Sequence, residues 1–192
     1  MTKVAIIYHT RYNSVEKVAA EIAIGIESIQ NATALLIQCS EASSRIEEIN
    51  SADAIVFGSP TYFGSISSEM KTFLDSTGDI FMNKKWKDKV AAAFTHSSSP
   101  SGDKLMTLNQ IMVFAMQNGM IWCGLDLLPT EEVISEWSNL GTEPIKVNKL
   151  GSWMGLMSQS DARKGVGLSN SDFLTARLFG KRIAIVAKKM KN

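Results

Sequence analysis

Over residues 54–75 the chain passes from a wholly apolar run, Ala54-Ile55-Val56-Phe57, through a loop of small and aromatic residues into a helical stripe. A strand that is apolar at every position must be covered on both faces, as parallel strands inside α/β sheets are. Ile66, Met70, Phe73 and Leu74 then fall at i, i+4, i+7 and i+8, one face of an amphipathic helix. The intervening Gly58-Ser59-Pro60-Thr61-Tyr62-Phe63-Gly64-Ser65 therefore sits at the carboxyl end of a buried strand, where open α/β sheets bind ligands. Pro60 stiffens this loop, Gly58 and Gly64 permit close approach or unusual backbone angles, and Tyr62 and Phe63 offer flat faces. An ordinary strand-to-helix connection would fit its composition equally well.

The same unit recurs along the chain. Val4-Ala5-Ile6-Ile7-Tyr8 reads as a first strand, and Val15, Val18, Ala19, Ile22 and Ile26 mark the helix after it. Asn13 and Glu16 have capping-box spacing. Ala34-Leu35-Leu36-Ile37 is a second strand, followed by a short helix over 41–49. Lys89-Val90-Ala91-Ala92-Ala93-Phe94 is a fourth, and a helix over about 103–117 stops at Asn118-Gly119. Met120-Ile121-Trp122-Cys123 is a short fifth strand, and a last helix starts near Ser169 and Asp172, again with box spacing, and runs to about 188. Repeated βα units of this length imply a doubly wound parallel sheet with helices on both faces, in one domain over 1–192.

A break in this rhythm covers about 124–168, with Pro129, Trp137, Pro144, Trp153 and glycines at 124, 141, 151, 155, 165 and 167. No helical period spans it; long excursions of this kind are usually lids, binding loops or interface arms, and a surface excursion without a role is the plain alternative.

Composition narrows the partners. With 20 basic and 19 acidic residues the net charge is +1, so no bulk field draws nucleic acid or a membrane surface. No apolar run reaches membrane-spanning length, and no signal peptide is visible. Cys39 and Cys123 share no motif spacing, which suits a reducing cytoplasm. With no third ligand at metal spacing beside His9 and His96, no zinc site is expected.

Three loops stand at carboxyl ends of strands: 10–14, 59–65 and 95–102. The first carries Thr10, Asn13 and Ser14 directly before a helix, beside Arg11 and without an acid. Free N–H groups and the positive end of a helix dipole favour a phosphate there. Neither a dinucleotide G-x-G-x-x-G nor a P-loop is present. An anion site beside an aromatic loop suggests flavin mononucleotide (FMN).

On the first loop, on Gly58-Ser59-Pro60-Thr61-Tyr62-Phe63-Gly64-Ser65 and on the continuation Met70-Lys71-Thr72-Phe73-Leu74-Asp75, the chain resembles the flavodoxin-like WrbA-type NAD(P)H:quinone oxidoreductases, relatives of the NADPH-dependent FMN reductases. The resemblance implies a five-stranded sheet of order 2-1-3-4-5 with FMN at the switch point between the first and third strands. It places Thr10, Arg11, Tyr12, Asn13, Ser14 and Val15 around the phosphate. Pro60, Thr61, Tyr62, Phe63 and Gly64 line the ring, and the third loop, with Ser97, Ser98, Ser99 and Gly102, forms the other wall. NADH or NADPH would reduce the flavin, a quinone or similar small molecule would accept the electrons, and a homodimer or homotetramer is expected. Backbone N–H groups of the second loop would stabilise negative charge on the reduced ring.

The chain departs from that family in four places. Its third loop reads His96-Ser97-Ser98-Ser99-Pro100-Ser101-Gly102 instead of a Gly- and Thr-rich loop, and Asn118 stands where relatives often carry histidine. Tyr62 replaces an arginine, and the segment after the second strand is short. Catalytic candidates are accordingly few: His9, His96 and Asn118, with solvated loop histidines as the plain reading of the first two. Two competing classes remain open, a flavodoxin-type electron carrier or FMN-binding regulatory module, and a doubly wound domain for another phosphate ligand.

Overall fold

The computed structural model describes residues 1–161, 165 and 167–191. Strands β1 (Thr2–Tyr8), β2 (Ala32–Gln38), β3 (Ala54–Pro60), β4 (Val90–Ser97) and β5 (Ile121–Trp122) form a parallel sheet of order β2-β1-β3-β4-β5. This is the flavodoxin-like arrangement. The crossovers carry α1 (Ser14–Glu27), α2 (Cys39–Ala42) with α3 (Ile46–Asn50), α4 (Ser68–Asp75) with α5 (Gly78–Met82), and α6 (Lys104–Gln117).

Alternation along each strand explains the apolar runs. Val4, Ile6, Ala54, Val56, Val90, Ala92 and Phe94 pack in one layer with α1 and the last helix, α7 (Asn170–Lys191). Ala5, Ile7, Ile55, Phe57, Ala91 and Ala93 pack in the other with α4 and α6. Two glycines let α1 and α7 touch backbone to backbone: a Cβ on Gly180 would lie 2.0 Å from the Ile22 carbonyl oxygen, and one on Gly25 would lie 1.9 Å from that of Arg177.

Several local expectations are corrected. β3 and β4 continue past their apolar runs, with Ser59 opposite Thr95 and Pro60 opposite His96. His96 and Ser97, read as loop, are therefore ladder residues, and the His96 ring finds hydrogen-bond partners within the fold. The helix over 41–49 is interrupted, because Ser44 Oγ donates to the Glu41 carbonyl and competes with the helical pattern. At α1 no capping box forms. Asn13 is left-handed (φ 60°), its side chain makes no cap, and the phenol of Tyr8 donates to Glu16 Oε1 at 3.4 Å. At α7 the box does form: Ser169 N–H donates to Asp172 Oδ2 at 2.9 Å and Asp172 N–H to Ser169 Oγ at 3.3 Å.

The excursion has regular structure that periodicity did not show. β6 (Glu132–Val133) and β7 (Ile145–Lys146) pair antiparallel. β8 (Leu156–Gln159) lies parallel to β4, pairing Phe94 through Ser97 with Leu156 through Gln159, whereas β5 pairs only with Val90 and Ala91. The fifth position of the sheet is thus filled by β5 and then β8, with the residues between them looped out. Residues 162–164 and 166 of this segment lie outside the described residues. The loop is tied to α7 by buried Arg177, whose guanidinium donates to Glu21 Oε2 (2.5 Å) and Asn139 Oδ1 (2.8 Å) and lies 5.4 Å from the Trp137 ring centroid. Trp86 is a core residue and Trp122 donates to the Met154 carbonyl, so these two indoles serve packing. Among the described residues, no helix is long and apolar enough to cross a membrane.

Candidate functional site

At the carboxyl rim of the central strands lies a cavity of about 490 Å³, bounded by four chain segments. The first loop contributes Thr10, Arg11, Tyr12, Ser14 and Val15; the second, Pro60, Thr61 and Tyr62; the end of β4, His96, Ser97 and Ser98; and the residues just after β8, Ser160 and Asp161.

The first loop ends on the amino terminus of α1, where the left-handed Asn13 turns the chain so that Ser14 opens the helix toward the cavity. Unbonded N–H groups and the helix dipole make that end attractive to an anion. Thr10 Oγ1 is buried without a hydrogen-bond partner. The Arg11 guanidinium lies 5.8 Å from the Tyr12 ring centroid, and Tyr12 is mostly exposed.

The second loop is held from behind. Thr61 Oγ1 lies 2.7 Å from Thr95 Oγ1 and 2.8 Å from Thr107 Oγ1, all buried. Tyr62 and Ser65 exchange backbone hydrogen bonds of 3.0 Å across a turn whose central residues, Phe63 (φ 49°) and Gly64 (φ 74°), are both left-handed. Thr61 N–H donates to the His96 carbonyl at 2.9 Å and Gly64 N–H to Asp103 Oδ2 at 3.0 Å. The N–H groups of Thr61, Tyr62, Gly64 and Ser65 are already engaged, which narrows the expected flavin contact from this loop to the Phe63 N–H. Burial raises the Tyr62 phenol above its ordinary pKa.

His96 is a buried member of the cavity wall, not a solvated loop residue. Its Nδ1 lies 3.0 Å from Ser158 Oγ and its Nε2 3.0 Å from Ser160 Oγ. Ser158 Oγ donates to the Thr95 carbonyl at 3.4 Å, which leaves its lone pairs for Nδ1–H, so Nε2 accepts from Ser160. Burial, with the nearby Lys104 charge second, pushes the imidazole down to about 4, so the ring is neutral at pH 7. Ser160 Oγ in turn lies 3.4 Å from Ser14 Oγ, and Ser97 Oγ is buried without a hydrogen-bond partner.

The remaining candidates are not among the residues lining this cavity. Asn13 turns the chain into α1 and its side chain makes no cap, and Phe63 is fully exposed at the tip of its turn with Gly64. Ser99 turns its carbonyl to Lys104, while Gly102 lines a separate apolar hollow with Trp122 and Trp153. His9 opens onto a second cavity of about 500 Å³, where its Nδ1 lies 3.5 Å from Glu69 Oε2. Asn118 caps the far end of α6, its amide donating to the Phe114 carbonyl, and the 14-residue helix carries it about 20 Å from the rim. Sequence reading missed Ser158, Ser160, Asp161 and Lys104. The i, i+2 spacing of the two serines in Leu156-Met157-Ser158-Gln159-Ser160 is the one local trace of a shared strand face.

A parallel sheet of this order, with a cavity at the rim where the order reverses, defines a flavodoxin-like mononucleotide-binding fold. The model of the NADPH-dependent FMN reductase family matches residues 15–125, and the chain belongs to that family of oxidoreductase flavoenzymes. It is 30% identical over 196 aligned positions to flavodoxin FldP of Pseudomonas aeruginosa, covering 99% of both chains. It is 35% identical over 147 positions to an NAD(P)H dehydrogenase (quinone) of Archaeoglobus fulgidus, covering 77% of this chain and 65% of that one. The crystal structure of the flavodoxin, WrbA-like protein from Agrobacterium tumefaciens superposes with a TM-score of 0.73 at 30% identity, over 98% of this chain and 99% of that one.

Proposed function

We propose that the cavity holds FMN and that this chain, acting as one domain, passes electrons from NADH or NADPH through it to a quinone or similar small acceptor. One observation carries the reading: two buried hydroxyls without hydrogen-bond partners, Thr10 Oγ1 and Ser97 Oγ, belong to residues on different walls of a cavity that ends on the amino terminus of α1. A ligand with an anionic end and a polar flat body answers both features, and the volume falls in the usual range for small-molecule sites. FMN, when bound, supplies the hydride and electron chemistry that side chains cannot.

The chain's part is binding and orientation. The α1 terminus, Thr10 and Ser14 receive the phosphate and Arg11 adds positive charge. Pro60, Thr61 and Tyr62 form one wall; His96, Ser97 and Ser98 form the other. His96, neutral and bonded at both nitrogens, fixes the Ser160 hydroxyl instead of moving protons. Holding reactants in contact geometry is worth about 7–11 kcal/mol, which is the scale of what such walls supply. Exposed Leu105, Met106, Val113 and Met116 on α6 suit a homodimer or homotetramer, and the two free buried cysteines suit a cytoplasmic location.

A second reading, an electron carrier, is favoured by the full-length similarity to the Pseudomonas flavodoxin. The near-zero net charge argues against it, because carriers that dock on basic partners are acidic. An absorption spectrum of purified protein mixed with FMN separates the cases. Bound flavin bleached by NADH or NADPH alone, then reoxidised by a quinone, is the expected result. Bound flavin that bleaches only with a protein partner would establish the carrier, and failure to retain FMN would remove both readings.

A further inference from the structure

Lys104, the first residue of α6, is fully buried. A lysine ammonium tolerates such a position only when polar groups meet its charge. Its Nζ donates to the carbonyls of Ser99 and Pro100, the latter at 2.7 Å, and so grips the third loop directly after the cavity-lining Ser97 and Ser98. The charge also reaches the cavity wall, since it helps to depress His96. Asp172 at the start of α7 and Asp103 before α6 act on it in the opposite sense, and burial outweighs both, drawing the amine down to about 8. The Thr61, Tyr62, Gly64 and Ser65 N–H groups are occupied, so of the second loop's amides only that of Phe63 is left to meet negative charge added to a ligand here.

Resting on the FMN reading above, we propose that Lys104 is a positioning residue that clamps the third loop and also sets the redox poise of the site, protonation of its amine being linked to electron uptake. The bookkeeping is simple. Two electrons from an external reductant arrive with one proton for the ring. Above about pH 8 the amine of the oxidised protein is neutral, and it takes a second proton from solvent as negative charge builds in the cavity on the far side of the loop it grips. A tenfold change in proton activity moves a two-electron couple by about 30 mV for each proton taken up.

The test is a potentiometric titration of FMN-loaded wild type, Lys104→Arg and Lys104→Met from about pH 7 to about pH 9.5. Wild type should steepen from about 30 to about 60 mV per pH unit near pH 8, while both variants stay near 30 throughout. Lys104→Arg, permanently charged, should also hold the higher potential at the alkaline end. Flavin-free protein gives a second readout: Lys104→Met should raise amide exchange over 97–102 and Lys104→Arg should largely restore protection. Equal slopes in all three proteins overturn the linkage, and unchanged loop exchange in Lys104→Met overturns the clamp. A wild type that retains no FMN overturns the function proposed above and the linkage with it, leaving the exchange experiment to decide the clamp alone.

Discussion

His96 Nε2 and Ser160 Oγ meet at 3.0 Å although 64 positions separate them in the chain. The contact exists because β8 returns from the long excursion to lie beside β4, bringing Ser158 to one ring nitrogen and Ser160 to the other. The excursion therefore completes the wall of the cavity, and it delivers a hydroxyl to within 3.4 Å of Ser14 at the start of α1.

That buried imidazole predicts how stability depends on pH. Its folded pKa, about 4, lies below the ordinary 6.5, so the unfolded chain binds the proton more readily. The contribution is fully present above pH 6.5 and is lost progressively as pH falls toward 4, by about 3 kcal/mol at the limit. Urea midpoints measured from pH 7 to pH 4.5 should fall more steeply in wild type than in His96→Gln. Parallel curves would refute the assignment.

Ser14→Glu places a carboxylate where the phosphate end is proposed to sit. FMN affinity should drop at least about 100-fold, equivalent to roughly 3 kcal/mol, with little change in melting temperature. Calorimetric titration checks this; an unaltered dissociation constant would move the phosphate elsewhere.

Gly180→Ala forces a methyl to within 2.0 Å of the Ile22 carbonyl oxygen, so α1 and α7 must separate. A loss of about 2–4 kcal/mol is expected, at or above the upper range for overpacking because the clash is with backbone. Because α1 also ends at the cavity, FMN affinity should fall with it. A variant as stable as wild type would mean that the two helices slide apart freely.

Phe63 occupies the first left-handed position of a tight turn and is fully exposed. Asparagine tolerates that conformation, and Asn-Gly is the favoured pair for such turns. Phe63→Asn should stabilise the protein by about 0.5–1 kcal/mol, read as a rise in melting temperature, with FMN affinity unchanged within about twofold. A marked loss of affinity would show that Phe63 folds over the ligand.

Local pattern was enough for much of the architecture. The apolar runs at 4–8, 54–57 and 90–94 are buried on both faces, and only a helix-covered parallel sheet satisfies them; the rim loops before α1 and after β3 follow directly. The capping box of α7 was legible because both its partners lie within one turn. What the sequence could not decide depends on distant pairings. Whether Asn13 caps or bends, and whether His96 ends in solvent or in the ladder, is settled by neighbours from other strands. So is which residues of the looped-out segment come back as β8. A buried lysine or histidine is tolerable only where groups far along the chain satisfy it, and no local periodicity encodes those groups.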